Sequence, residues 1–128
     1  IPLSASPDAI RAAVRAMFTD PHHLRVEDPG RIEGNVVFDY LDAFDDDKDQ
    51  LADIKAHYQR GGLGDGKIKK RLEDILQALI APIRERRERL SNNRDYVQTV
   101  IRQGTEHALD RTTTTRREVV DALGLFQL

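Results

Sequence analysis

Residues 61–90, GGLGDGKIKKRLEDILQALIAPIRERRERL, carry the strongest structural pattern in the chain. After a glycine-rich start, apolar residues recur mostly three or four positions apart, as they do along one face of an α-helix. Pro82 falls inside this pattern, where a proline removes a backbone hydrogen bond and clashes with the preceding turn. Because the apolar phase continues through Ile83 to Leu90, we predict one long helix that is kinked at Pro82 but does not end there.

The sequence before this helix also has helical periodicity. Ser6 and Pro7 predict the start of a first helix, which Pro21 should end at the preceding residue. Residues 21–34 contain two prolines and two glycines, and they predict a loop. Asn35 is a candidate cap for a short second helix, and the acidic residues 45–47 should open a third helix that ends at the glycines 61 and 62.

A last helix is predicted from the boundary at residues 91–93 to Gly124. The four threonines at 112–115 are poor helix formers, but the phase from Ala108 to Val119 favours continuity. No segment alternates with a period of two, so no sheet is expected. The predicted fold class is an all-α helical bundle, with a helical domain at residues 1–92 and a tail helix at 93–128 packed on it as one structural unit.

The core should form around the apolar face of the long helix, with the tail packed against it. The residues assigned to this core are Leu72, Ile75, Leu76, Leu79, Phe44, Tyr58, Val97, Val100 and Ile101. Tyr40, Phe44 and Tyr58 have an alternative role as stacking platforms for nucleobases, but their helical phase favours the core.

Composition narrows the class of protein. The chain has 128 residues, of which 39% are hydrophobic and 33% charged, and it contains no cysteine, which excludes disulfides and thiolate metal sites. No run of apolar residues is long enough to span a bilayer, so no membrane segment is expected. The net charge is −2, but residues 67–94 contain nine Lys or Arg against four Asp or Glu. A local basic stripe of this kind can attract a polyanion although the whole chain is acidic.

The basic residues of this stripe have two interpretations. As a nucleic-acid surface, they would neutralise backbone phosphates and position the partner without reading its sequence. As a solvated helix face, they would form i,i+4 ion pairs, for which the acids at 85 and 88 have the right spacing. The residues are Lys67, Lys69, Lys70, Arg71, Arg84, Arg86, Arg87, Arg89 and Arg94.

Other motifs give weaker indications. His22 and His23 are adjacent in a loop and could bind a metal, although a metal site is not predicted. Residues 45–49 lack the glycine and the final glutamate of a calcium loop, so a helix start is favoured. The glycines of residues 61–66 follow no strand and precede no Lys-Ser/Thr pair, which favours a turn between helices over a phosphate loop. No set of residues forms a catalytic constellation, and no catalytic residue is assigned.

Several segments resemble the bacterial tryptophanyl-tRNA synthetases. In residues 61–90 the resemblance lies in the Gly-Gly-Leu-Gly-Asp turn, the basic helix start and the segment IAPIRERR at residues 80–87. Upstream, HLRVEDPG at residues 23–30, followed by EGN at 33–35 and by residues 38–44, resembles one branch of the family. Downstream, Gly104 and the ending ALGL at 122–125 resemble its tail helix, although the family would favour an alanine-rich tail over four threonines.

This resemblance implies a function in aminoacyl-tRNA synthesis. The family's two active-site motifs, HIGH and KMSKS, do not occur in the sequence. The chain is therefore expected to be the C-terminal part of the enzyme, beginning just after the KMSKS loop, and to form no tryptophanyl adenylate by itself. No cofactor is expected in it. The resemblance places ATP, with magnesium, in the missing nucleotide-binding domain of a cytoplasmic, homodimeric parent.

The resemblance also implies where tRNA would bind. The helical domain of the family meets the anticodon arm of tRNA(Trp). We expect Lys67, Lys70 and Arg71 to act together in this contact because they share a helix face, and Lys69 to contribute less. Arg84 and Arg87 complete the expected set. The alternative is a non-catalytic helical adaptor or RNA-binding module derived from such a domain, and a more remote one is a hydrolase that uses the two loop histidines.

Overall fold

A computed structural model describes residues 1–124 and contains five α-helices within them, with no strand. The predicted all-α fold class is thereby confirmed. The helices are α1 (Pro7–Ala16), α2 (Val36–Phe44), α3 (Lys48–Arg60), α4 (Asp65–Ser91) and α5 (Arg94–Leu123). Leu125, which was part of the resemblance, lies outside the described residues.

The chain divides into two compact units within α4, between Arg86 and Arg87. The first unit holds α1, α2, α3 and most of α4, and the second holds the end of α4 together with α5. The two units are described separately below. The predicted packing of the tail on a domain of residues 1–92 stays a prediction.

Short polar side chains cap the helices where the sequence predicts them. The Ser6 hydroxyl accepts the backbone N–H of Ala9, and Asn35 and Asp47 cap α2 and α3 in the same way. The first helix ends at Ala16, earlier than predicted, because Met17 is already extended with ψ at 138°. Each cap satisfies a donor that the first turn of a helix leaves without an intrahelical partner.

Gly61 ends α3 in a conformation that only glycine adopts readily. Its φ is +86°, and a Cβ atom at this position would lie 2.2 Å from the carbonyl oxygen of Glu27. The next glycine, Gly62, donates its N–H to the carbonyl of Val26 at 2.6 Å. The turn that opens α4 is therefore fixed against the loop of residues 21–34.

Helix α4 continues through Pro82, as the apolar phase predicts. Its buried residues are Ile68, Leu72, Leu76 and Ile80, spaced four apart. They pack in a core that also contains Ile10, Val14, Val37, Phe38, Leu41, Leu51 and Tyr58.

Two core assignments in this unit are wrong. Leu79 and Phe44 are 43% and 42% exposed. Leu79 lies one position ahead of the i,i+4 row that ends at Ile80, which turns its side chain away from the core.

Helix α5 runs from its Asn93 cap to Gly124, which adopts the left-handed conformation typical of a helix end. It continues through the four threonines, and Thr112 donates its hydroxyl to the carbonyl of Ala108 at 2.9 Å. No residue of α5 is buried. Val100 and Ile101 are 49% and 62% exposed and Val97 is partly exposed, so their own unit does not bury them. Their packing against the first unit stays a prediction.

Candidate nucleic-acid interface

Two lysines of the first turns of α4, Lys67 and Lys70, are exposed to solvent. Lys70 forms an ion pair with Asp74 one turn later, and the hydrogen bond from this pair raises the pKa of the lysine. Lys67 forms no side-chain hydrogen bond or ion pair with the described residues. The two positions are three apart and lie on one side of the helix, as the sequence predicts.

Arg71, by contrast, is held by the turn between α2 and α3. Its Nε donates to Oδ2 of Asp45 at 2.5 Å, its Nη2 donates to Oδ1 at 3.1 Å, and its Nη1 donates to Gln50. Asp45 is buried, and the hydrogen bond from Arg71 is the main reason that its pKa lies below the usual value. A bidentate ion pair of this kind fixes both side chains in one geometry. Arg71 thus joins α4 to the end of α2.

Lys69 and Arg84 also bond to the N-terminal part of the chain. The Lys69 Nζ donates to the carbonyl oxygens of Arg15 and Met17, at 2.9 and 2.8 Å, where α1 has left carbonyls without an intrahelical partner. The Arg84 Nη1 donates to the carbonyl of Ala5 at 2.9 Å. Both cations support the fold of the first unit. Arg87 is exposed and has no ion pair within residues 1–124.

The described structure brings together a polar cluster that the sequence analysis missed. Asp65, at the start of α4, accepts hydrogen bonds from Thr19 and Tyr58, each at 2.7 Å, and lies 3.2 Å from Nδ1 of His23. Burial acts to raise the pKa of Asp65, but these three hydrogen bonds outweigh it and lower the pKa. Burial and the bond to Asp65 raise the pKa of Tyr58.

This cluster has a structural role. Tyr58 is fully buried, with its ring 4.6 Å from the ring of His23 and 5.1 Å from that of Phe38, so its predicted place in the core is confirmed. His23 is buried, and its Nε2 has no hydrogen-bond partner within the described residues. Within residues 1–124, no group of three or more His, Asp or Glu side chains has the arrangement of a metal site. In the sequence, the feature that points to this cluster is Asp65 in the first turn of a helix. An aspartate at such a position is too common to predict the cluster.

A second surface of the first unit is strongly acidic. Residues 39–55 contain two lysines and seven aspartates, of which all but the buried Asp45 are exposed. Both lysines bond to the same acidic residue: Lys55 pairs with the Asp42 carboxylate at 2.5 Å, and Lys48 donates to the Asp42 carbonyl at 2.7 Å. Because like charges repel, this surface is unfavourable for a phosphate backbone. The chain therefore has one basic and one acidic region, at the start of α4 and around α2.

Among residues 1–124, no helix combines the length and the apolar character that crossing a bilayer requires.

Comparisons with known proteins find tryptophan--tRNA ligases that are similar to this chain. No protein-family model matches it. It is 45% identical over 123 residues to the tryptophan--tRNA ligase of Clostridium longisporum, and 47% identical over 125 residues to that of Streptococcus pneumoniae. Each match covers 96% of this chain but 36% and 37% of the respective relative, so the chain spans little more than a third of their length. The chain is homologous to the C-terminal part of the tryptophan--tRNA ligases, which confirms the resemblance.

Solved structures agree with this fold. The crystal structures of tryptophanyl-tRNA synthetase from Campylobacter jejuni, one of them complexed with ADP and tryptophan, match with a TM-score of 0.79. The matches cover 98% of this chain and 38–40% of the solved chains, at 21% identity. At that level of identity they support the fold alone.

Proposed function

We propose that this chain is the tRNA-binding C-terminal part of a tryptophan--tRNA ligase. The observation that carries the proposal is the 45–47% identity to such ligases along 96% of the chain. In this proposal the parent enzyme joins tryptophan to tRNA(Trp) with ATP and magnesium, which a nucleotide-binding domain outside this chain binds. The parent is a cytoplasmic homodimer, and this chain meets the anticodon arm.

The hydrogen bonds of the basic side chains reduce the number of residues that are available for the proposed contact with tRNA. Lys69, Arg71 and Arg84 already use their charged groups to hold the first unit together. Lys67, Lys70 and Arg87 are exposed and can reach a ligand without breaking the fold. An exposed i,i+4 pair such as the one between Lys70 and Asp74 is weak enough for a phosphate to replace the carboxylate.

Charge distribution supports one orientation of the RNA. Phosphates would approach the first turns of α4, while the aspartates around α2 would stay in solvent on a surface that repels them. Contacts of this kind position the anticodon arm, and they add a salt-dependent term to the binding free energy. They do not by themselves explain how one tRNA is chosen over another.

The test uses a chimaeric enzyme, the pneumococcal tryptophan--tRNA ligase with its matched C-terminal segment replaced by this chain. Lys67→Glu with Lys70→Glu should weaken binding of tRNA(Trp) and raise its KM. Each phosphate that is no longer neutralised should reduce the slope of log K against log salt by roughly 0.7–0.9. Adenylate formation, measured by pyrophosphate exchange, should not change, because it needs no tRNA contact.

Lys48→Glu is the matched control, since Lys48 also lies in the first turn of a helix but in the acidic region. It should leave tRNA affinity unchanged. If the double variant binds tRNA with wild-type affinity and salt dependence, Lys67 and Lys70 form only a solvated helix face. Arg87→Glu then tests, in the same assay, the third exposed residue of the expected tRNA-binding set.

A further inference from the structure

The first turn of α4 is weak by itself. Gly66 is its second residue, and glycine is the poorest helix former apart from proline. Lys67 adds a positive charge to the end of the helix that its dipole already makes positive. The other four described helices have a side-chain cap, from Ser6, Asn35, Asp47 and Asn93. Gly64, which precedes α4, has no side chain that could cap it, so the order of this turn depends on contacts with other parts of the chain.

The carboxylate of Asp65 supplies such contacts at the start of the turn. It accepts the hydroxyl groups of Thr19 and Tyr58, each at 2.7 Å, and lies 3.2 Å from Nδ1 of His23. These partners come from the segment between α1 and α2 and from α3, all within the first unit. The negative charge of the carboxylate also stabilises the positive end of the helix dipole. Asp65 thereby ties the beginning of α4 to two other parts of the fold.

Lys67 lies between two residues that fix the helix. Asp65 holds the beginning of the first turn, and Ile68, which is 1% exposed, anchors the residues that follow in the core. Without the bonds of Asp65, the residues before Ile68 would fray readily, because the end of a helix has few intrahelical hydrogen bonds. The exposed side chain of Lys67 would then have no defined direction. Lys70 follows the buried Ile68 and depends less on Asp65.

We propose that the hydrogen-bonded carboxylate of Asp65 positions Lys67 for its contact with a tRNA phosphate. This inference rests on the proposed function, because it assumes that Lys67 contacts tRNA. A cation that is already ordered loses less conformational entropy when it binds, so Asp65 strengthens the contact without touching the RNA. Asp65 is a positioning residue and not a ligand, since a carboxylate repels phosphate.

The test removes one hydrogen bond of Asp65 in the pneumococcal chimaera. Thr19→Val deletes the hydroxyl group and keeps the shape of the side chain. It should raise the KM for tRNA(Trp) about two- to tenfold, the effect of ordering one long side chain, and leave kcat and pyrophosphate exchange unchanged. Thr19→Ser keeps the hydroxyl group and should retain the wild-type KM. Ile10→Val, in the core of the same unit, is the control for lost stability and should also retain it.

A double-mutant cycle separates positioning from a general loss of stability. In the background of Lys67→Ala, Thr19→Val should not raise the KM further, because the side chain that the network positions is already missing. In the background of Lys70→Ala, Thr19→Val should raise the KM by the same factor as in the wild type. Tyr58→Phe removes a second hydrogen bond of Asp65 and should give the same pattern, so it replaces Thr19→Val in each comparison if that variant does not fold.

Hydrogen exchange of the chimaera tests the order of the turn directly. The amide of Lys69 donates to the carbonyl of Asp65 in the i to i−4 pattern of an α-helix. Thr19→Val should speed the exchange of this amide roughly threefold or more, because the first turn opens more often. The amide of Leu76, in the middle of α4, should exchange as in the wild type.

Several outcomes would overturn the inference. A wild-type KM for Thr19→Val, when Lys67→Ala raises the KM, would leave the proposed function standing and remove the positioning role of Asp65. Equal effects of Thr19→Val in the Lys67→Ala and Lys70→Ala backgrounds would do the same, as would a KM for Thr19→Ser as high as that for Thr19→Val. If neither lysine affects tRNA binding, the proposed contact itself is wrong, and the positioning of Lys67 for it is wrong as well.

Discussion

The ion pair of Arg71 and Asp45 predicts that Arg71 acts mainly on stability. Arg71→Ala leaves the Asp45 carboxylate, whose side chain is 4% exposed, with only the backbone N–H of Asp47 as a hydrogen-bond donor. Removing one partner of a buried ion pair costs roughly 3–5 kcal/mol, because the other charge stays buried without compensation. The Arg71 side chain is 24% exposed, so water compensates in part. We expect a loss of about 3 kcal/mol in the free energy of unfolding.

Urea denaturation followed by far-ultraviolet circular dichroism measures this loss. Lys70→Ala is the control, because its ion pair is exposed, and it should leave the urea midpoint unchanged. Since the pKa of Asp45 is lowered in the folded state, its stabilisation is fully present above the unfolded pKa of about 3.9. It is lost as the pH falls through the lower folded pKa. Arg71→Ala should therefore reduce the loss of stability below about pH 4.

A wild-type urea midpoint for Arg71→Ala would refute this reasoning. If tRNA affinity in the chimaera also fell, Arg71 would be a ligand for phosphate and not a support for the fold. If the stability of Arg71→Ala falls at low pH as much as that of the wild type, protonation of Asp45 in its pair with Arg71 is not the cause of the fall.

The core and the turns give further predictions. Leu76→Ala should cost roughly 2–5 kcal/mol in urea unfolding, whereas Leu79→Ala should cost much less because Leu79 is 43% exposed; equal losses would contradict the assigned core face. Gly61→Ala should lower the melting temperature by several degrees, since the new Cβ would meet the Glu27 carbonyl, and an unchanged melt would show that the turn adapts. Tyr58→Phe removes a hydrogen bond to Asp65 and should cost about 1–2 kcal/mol, against a negligible effect of Tyr40→Phe.

Much of the fold could be predicted from local sequence, because each helix carries its own signals. The caps Ser6, Asn35 and Asp47 and the stop at Gly61 lie where short polar residues and glycine satisfy the ends of helices. The end of α1 could not be placed from local sequence, and the residue that bonds to its end, Lys69, is distant in sequence: it donates to the carbonyls of Arg15 and of the C-cap residue Met17. Hydrophobic periodicity identifies the apolar face of a helix, but it does not indicate how much of that face is buried.

Helix α5 shows more clearly that periodicity does not identify the surface that buries an apolar face. Its apolar phase predicts an amphipathic helix, and α5 has the predicted bounds and continuity. The phase does not indicate which surface covers the apolar side of α5, and the packing of Val100 and Ile101 against the core of the first unit stays a prediction. A sequence pattern of this kind identifies a face that needs a partner but not the partner itself.

The basic start of α4 shows how helical phase separates residues that are adjacent in sequence. Cations at the start of a helix oppose its dipole, so four within five residues require another purpose. The basic residues at the start of α4 differ in their roles. Lys69 bonds to the carbonyls at the end of α1, and Arg71 bonds to the carboxylate of Asp45, the residue that follows α2, so both hold α4 against other helices. Lys67 and Lys70 are exposed, and Lys70 forms only an exposed ion pair with Asp74 on its own helix. The basic residues that are adjacent in the sequence therefore form two groups in the structure. Lys69 and Arg71 hold the helices together, and Lys67 and Lys70 are the exposed pair for which we propose contact with phosphate.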